Sequence, residues 1–111
     1  MPINGREKGK RYERQTARMW EHEMGGEVER SSYVNKKLDN AGVDLVGTDP
    51  FSIQCKAVER SMDIHQVLAD MPQDEKYNVV FHKRNNKGQI ACLDIKDFME
   101  LISKLRQARI L

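Results

Sequence analysis

Val43-Asp44-Leu45-Val46-Gly47-Thr48-Asp49-Pro50-Phe51-Ser52-Ile53-Gln54-Cys55-Lys56-Ala57 sets two apolar runs on either side of Gly47-Thr48-Asp49-Pro50. Glycine and proline punctuate chains and aspartate favours turns, so the stretch predicts a hairpin of two short strands. Side chains alternate faces along a strand. Ile53, Cys55 and Ala57 therefore share one face of the second strand, and Gln54 and Lys56 the other. Val43 and Leu45 share a face of the first strand, and Asp44 takes the opposite one. An acid, an amide and a lysine can thus converge on one side of an apolar hairpin. A carboxylate and a lysine taken out of water cost free energy unless paired or bound to a cation.

Upstream, residues 1–5 are expected to be loose, and a helix is predicted from Arg6 to Met24. Glu13, Ala17, Trp20 and Met24 fall on one face, so Trp20 and Met24 are expected to point into the core, with Glu13 on or beside the same stripe. On an isolated helix Glu13 would be an ordinary solvated residue. Between Arg6 and Arg18 six cations stand against Glu7 and Glu13. Such a cluster is often only a solvated face, but it is also the footprint of phosphate contact. Gly25-Gly26 closes the helix. Glu27 to Val34 reads as a strand with Val28 and Arg30 on one face. Asn35 to Gly42, with Lys36-Lys37 at its centre, reads as a loop.

Downstream, Met62 to Met71 suits a helix with Ile64, Val67, Leu68 and Met71 on one face and Pro72 past its end. Tyr77 to Phe81 and Gln89 to Leu93 read as strands joined by the turn Asn85-Asn86-Lys87-Gly88. Asp94 is a candidate N-cap for a last helix, with Phe98, Leu101, Ile102 and Leu105 as its apolar stripe and Phe98 expected in the core. The order αβββαββα predicts an α/β domain, a mixed sheet flanked by helices.

The 111 residues, 39% hydrophobic and 32% charged, fit a single domain spanning 1–111 with a modest core. No apolar run approaches the roughly 20 residues of a membrane span, and no signal-peptide pattern opens the chain, so a cytoplasmic protein is expected. Cys55 and Cys92 have neither a CxxC spacing nor a nearby histidine pair, and read as buried thiols in a reducing compartment. His22, His65 and His82 are scattered and read as structural or surface groups.

Four ordered pieces carry a resemblance. They are Lys8-Gly9-Lys10-Arg11-Tyr12-Glu13-Arg14, Val28-Glu29-Arg30-Ser31-Ser32, Val43-Asp44-Leu45-Val46 and Ile53-Gln54-Cys55-Lys56. Together they resemble the PD-(D/E)xK nuclease superfamily, most nearly its archaeal-type Holliday junction resolvases. The first half of the chain carries the likeness closely. The second half agrees only in the order of its elements.

The resemblance implies a restriction-endonuclease-like core and Mg²⁺-dependent hydrolysis of DNA phosphodiesters, with Mn²⁺ as a substitute. It makes Asp44 the central metal ligand, brings Glu13 from the first helix, and adds Gln54 and the backbone carbonyl of Cys55. Lys56 would orient the attacking water and stabilise developing charge. Arg30 with Ser31 or Ser32 would contact the scissile phosphate. Lys8, Lys10, Arg11, Arg14, Lys36 and Lys37 would line a DNA track; Lys83, Arg84 and Lys87 are further candidates for it. Two opposed strands of a four-way junction must be nicked symmetrically, which implies a homodimer. The small size suits a compact, phage-encoded version acting in the host cytoplasm.

The departure is Gln54, where the family pattern usually has glutamate. An amide oxygen can coordinate a metal but brings no charge, so two carboxylates remain instead of three. Gln-x-Lys variants also occur in Mrr-like restriction enzymes. Three readings stand: a junction endonuclease, a nuclease of the same fold acting on linear duplex or flap DNA, and a DNA-binding module that has lost catalysis.

Overall fold

The computed structural model describes residues 5–111. The expected loose start at residues 1–5 lies outside the described residues for 1–4, while Gly5 already belongs to the first helix, α1 (Gly5–Met24). Tyr12, Thr16 and Ala17 recur one turn apart and are buried. Tyr12 and Ala17 lie in the core with Val28, Leu45, Ile53, Cys55, Ala57 and Val79. Trp20 meets Phe51 edge-on at 5.9 Å between ring centroids, and Phe51 in turn meets Tyr77 at 5.7 Å. Met24 does not face the core as expected and is 67% exposed. Phe51 is the first residue of its strand, so the turn of α1 beyond Trp20 has no strand beneath it. Gly25 and Gly26 then leave the helix at φ of 80° and 78°.

The stretch expected to be one strand from Glu27 to Val34 pairs only over β1 (Glu29–Arg30) and then turns into a four-residue helix, α2 (Ser31–Val34). The segment expected as a loop holds α3 (Lys36–Asn40). The Asn35 side chain caps α3 by accepting the Leu38 N–H at 3.1 Å. The expected order therefore gains two short helices ahead of β2 (Leu45–Val46).

β1 and β2 pair antiparallel, with Arg30 opposite Leu45. β3 (Phe51–Ala57) runs parallel to β4 (Tyr77–Arg84), from Phe51 opposite Tyr77 to Ala57 opposite Lys83. The crossover between them carries α4 (Ile64–Asp70), as a parallel pair requires. β4 pairs antiparallel with β5 (Gly88–Cys92). The result is a mixed three-stranded sheet in the order β3-β4-β5, flanked by helices, beside a separate two-stranded one.

The turn at Gly47–Pro50 forms, with the Phe51 N–H donating to the Thr48 carbonyl at 2.8 Å and the Thr48 hydroxyl to the Phe51 carbonyl at 2.7 Å. Gly47 sits at φ 104°, and a Cβ there would stand 2.3 Å from the Glu27 carbonyl oxygen, so the position admits no side chain. The strands on either side of this turn do not form the expected hairpin ladder. Asp44 joins the two sheets instead. Its N–H donates to the Ile53 carbonyl, its carbonyl accepts the Ser31 N–H, both at 2.8 Å, and its side chain accepts the Cys55 N–H at 2.7 Å.

α5 (Ile95–Gln107) begins as expected, with the Asp94 side chain accepting the Lys96 N–H at 2.8 Å. No residue of α5 is buried, and Phe98, expected in the core, is 48% exposed. The periodicity identifies an apolar face but not whether anything covers it. Lys104 ties α5 to the sheet by donating to the Tyr77 hydroxyl at 2.7 Å. Among the described residues no helix is long and apolar enough to cross a membrane.

The core thus sits between α1 and β3, not under α5. Ile53→Ala is expected to destabilise the protein by about 2–5 kcal/mol, and Ile95→Ala, at an exposed site, by less than about 0.5 kcal/mol. Urea unfolding of both variants measures the difference, and equal costs would show that the core has been misplaced.

Candidate functional site

Four of the expected site residues converge where β2 meets β3. Ile53, Cys55 and Ala57 turn to the α1 side and are buried there, which leaves Gln54 and Lys56 on the opposite face with Asp44 held alongside. The N–H and carbonyl of a strand residue project to the same side, so the Cys55 carbonyl, like its N–H, faces Asp44 and not β4. The amide orientation that satisfies both ends of Gln54 puts its oxygen 3.3 Å from Lys56 Nζ and its nitrogen 3.1 Å from the Gly42 carbonyl.

The Asp44 carboxyl is pushed up from the ordinary 3.8 to about 7. Burial is the chief cause, partly offset by the Cys55 N–H, which stabilises the charged form. Glu13 then raises it further, Lys56 lowers it, and Asp39 raises it again. The position therefore holds a desolvated carboxylate with less positive charge around it than its ionised form requires.

Glu13 projects from α1, and its Oε1 accepts from Arg30 Nε at 3.2 Å. Both side chains are largely shielded, 18% and 7% exposed. Arg30 also donates to the Tyr33 hydroxyl at 3.0 Å and lies 4.7 Å from the centre of that ring. Glu13, Arg30, Ser32, Lys10, Gly9 and Lys36 line a cleft of about 430 Å³. Ser31 is different: it is fully buried and its hydroxyl donates to the Val43 carbonyl. It fastens the chain after β1 to the strand carrying Asp44 and does not offer its hydroxyl to the cleft. Of the Arg-Ser-Ser run, Arg30 and Ser32 reach the cleft.

The remaining cations are dispersed. Arg14 lies 3.7 Å from Glu7, and Lys36 lies 3.9 Å from Asp39 on the next turn of α3. Lys37 is exposed on α3. Lys8 and Arg11 line a second cavity on the opposite flank of α1. Two residues escaped the sequence reading, Tyr33 and Asp39. Both belong to the segment assigned to strand and loop, and the short helices α2 and α3 carry them to the cleft wall. The Asn35 cap was the available signal for α3.

Behind Asp44, burial first and the Asp44 charge second hold the Cys55 thiol up to about 12, so it stays protonated and only its backbone serves the site. The Tyr12 and Thr16 hydroxyls are buried beside it without a regular hydrogen-bond partner. The donors around Asp44 are a carboxylate, an amide oxygen and a backbone carbonyl, with the Glu13 carboxylate held by Arg30. This all-oxygen set suits a hard cation such as Mg²⁺ and not a thiophilic one. Among the described residues no three His, Cys, Asp or Glu side chains gather closely enough to hold an ion by themselves. An ion held here would need water or phosphate to complete its coordination.

No protein-family model matches the chain, and no curated protein or solved structure proved similar to it.

Because the folded pKa of Asp44 lies above its unfolded value, folding favours its protonated form. The stability this contributes is complete below pH 3.8 and is lost as pH rises through about 7. Asp44→Asn keeps an oxygen for the Cys55 N–H and removes the titration. In EDTA, the parent's melting temperature is expected to fall more steeply than the variant's between those two values, and superimposable curves would refute the buried-charge assignment.

Proposed function

We propose that the chain is a Mg²⁺-dependent DNA endonuclease with a restriction-endonuclease-like core, acting on four-way junctions as a cytoplasmic homodimer. The observation that carries this reading is the buried Asp44 carboxylate, pinned by the Cys55 N–H within electrostatic reach of Glu13 and Lys56 and beside a cleft lined by Lys10, Arg30 and Lys36. A carboxylate held in that way costs the fold stability and repays it only when a cation or proton arrives.

In this reading Asp44, the Gln54 amide oxygen and the Cys55 carbonyl would hold Mg²⁺, and Glu13, now paired with Arg30, would be a further ligand once Arg30 met a DNA phosphate instead. The ion when bound supplies Lewis-acid stabilisation of the phosphoryl oxygens and a more acidic water. Lys56 holds the attacking water and balances developing negative charge. Before an ion is bound, the Gln54 amide oxygen holds the Lys56 ammonium in place. Lys10, Arg30 and Lys36 fix the backbone in register, and Ser32 offers a hydroxyl to the same phosphate. Asp39 supplies some of the negative charge that Gln54 does not.

A second reading, a DNA-binding module without catalysis, is favoured by Gln54 and by the grip of Arg30 on Glu13. A Mg²⁺ titration over junction, flap and linear DNAs separates the two. The parent is expected to cut junctions; Asp44→Asn and Lys56→Ala should bind DNA but cut at least about 100-fold more slowly. Gln54→Glu should reach half-maximal rate at lower Mg²⁺, because oxygen sites gain cation affinity with charge. A parent that cuts no DNA with Mg²⁺ or Mn²⁺, while Gln54→Glu does cut, would establish the binding module.

The dimer surface in this reading is the uncovered face formed by β5 and α5. Among the described residues nothing pairs with the outer edge of β5, and its sequence Gly-Gln-Ile-Ala-Cys carries no charge to deter pairing. Beside it, Ile64, Leu68, Cys92, Leu93, Ile95 and Phe98 line an apolar groove of about 390 Å³. A second copy related by a two-fold axis can pair the same edge with itself and cover both grooves. Light scattering is expected to give twice the 12.9 kDa chain mass for the parent and the single-chain mass for Phe98→Glu. A parent that stays monomeric at high concentration would rule this face out.

A further inference from the structure

The second cavity, about 290 Å³ on the far flank of α1, has a chemistry that the cleft around Glu13 does not use. Lys8, Arg11 and Gln15 face it from the helix, Lys83 from the end of β4, and Asn85 from the turn that follows; Tyr12 and Ala57 form its floor. Residues two apart on a helix point about 200° apart, so Lys8 and Arg11 are turned away from Lys10 and Glu13. Lys83 Nζ donates to Gln15 Oε1 at 3.3 Å and lies 5.8 Å from the centre of the Tyr12 ring. Among the described residues neither Arg11 nor Lys83 has a carboxylate partner.

One anion already stands at the rim. The Glu59 carboxylate pairs with Lys8 Nζ, and its two oxygens accept the Asn85 N–H at 2.8 and 3.1 Å. An ammonium and a backbone N–H turned on one carboxylate make the arrangement that two oxygens of a phosphate would use. The hydrogen bond from Lys8 is the chief cause holding the Glu59 carboxyl below its usual range. Glu59 is well exposed, so its ion pair is weak and easily exchanged. Three cations against one exposed carboxylate leave the cavity positive.

We propose that this cavity seats a phosphate group of a nucleic-acid backbone, and that Glu59 occupies the seat until a phosphate displaces it. Only the nucleic-acid part rests on the nuclease reading; the anion seat stands on its own geometry. In the complex, Lys8 and the Asn85 N–H pass from Glu59 to the phosphate, Arg11 and Lys83 close on it from either side, and Glu59 turns out to solvent. DNA then straddles the first half of α1, gripped on one flank by the cleft and on the other by this seat.

The test follows the Asn85 amide resonance of ¹⁵N-labelled protein titrated with inorganic phosphate, and then with duplex and junction DNA in EDTA. Parent, Glu59→Gln and Lys83→Gln are compared; Glu59 is exposed and Lys83 half-buried at the end of β4, so both variants are expected to fold. Phosphate should shift the Asn85 amide, about two- to fivefold more tightly in Glu59→Gln, the range an exposed ion pair is worth, and more weakly in Lys83→Gln. For DNA, the slope of log K against log salt should steepen by about 0.9 in Glu59→Gln and flatten by about 0.9 in Lys83→Gln. An Asn85 amide that phosphate leaves unmoved in both the parent and Glu59→Gln overturns the seat. Phosphate binding without any DNA binding supports the anion seat and overturns the nucleic-acid reading. DNA binding with all three salt slopes equal overturns the assignment of a backbone phosphate to this cavity and leaves the cleft unaffected.

Discussion

Three hydrogen bonds to one residue hold the two sheets together. Asp44 donates its N–H to the Ile53 carbonyl, accepts the Ser31 N–H on its own carbonyl and accepts the Cys55 N–H on its carboxylate. A regular hairpin ladder would have satisfied those backbone groups with more backbone. Here a side chain takes one of the places, so a carboxylate is drawn into the seam where water is scarce. Fold and site therefore share the same atoms. The bond that aligns β3 with the strand before it also desolvates the group on which the proposed chemistry rests.

The neighbouring charges are arranged around that difficulty. Buried Arg30 is met by Glu13 and Tyr33, so the charge of each member of the Arg30–Glu13 pair is offset by the other. The Lys56 charge is close enough to Asp44 to favour its ionised form. The cleft lining carries Arg6, Lys10, Arg30 and Lys36 against Glu13 and Asp39, so it is positive beside a buried carboxylate.

The alternation in Phe51–Ala57 was legible because strand geometry leaves no choice of face once Ile53 and Cys55 are inside. The capping role of Asp94 was legible for a similar local reason, whereas periodicity alone left Glu13 a solvated residue and only the resemblance turned it inward. The hairpin was misread because two apolar runs and a turn describe a ladder equally well whether or not the strands pair. Distant partners decided that question, among them Glu29–Arg30, which took Leu45–Val46 into a separate sheet. α2 and α3 run for four and five residues, too short for a helical period to appear, so Ser31 and Lys36 were placed on the wrong kind of backbone. Met24 and Phe98 failed for another reason. A periodic stripe names the apolar side of a helix, but nothing in the stripe states what lies opposite.

Gly9 stands in the middle of α1, where a glycine costs a helix about 1 kcal/mol relative to alanine. Its φ is ordinary, and an added Cβ would meet nothing within 4 Å, so internal packing gives no reason for it. It does line the cleft beside Lys10 and Glu13. A protein engineer ranking positions for thermal robustness would choose this one early, and the added methyl group would stand on the wall of the cleft, where the proposed ligand would meet it.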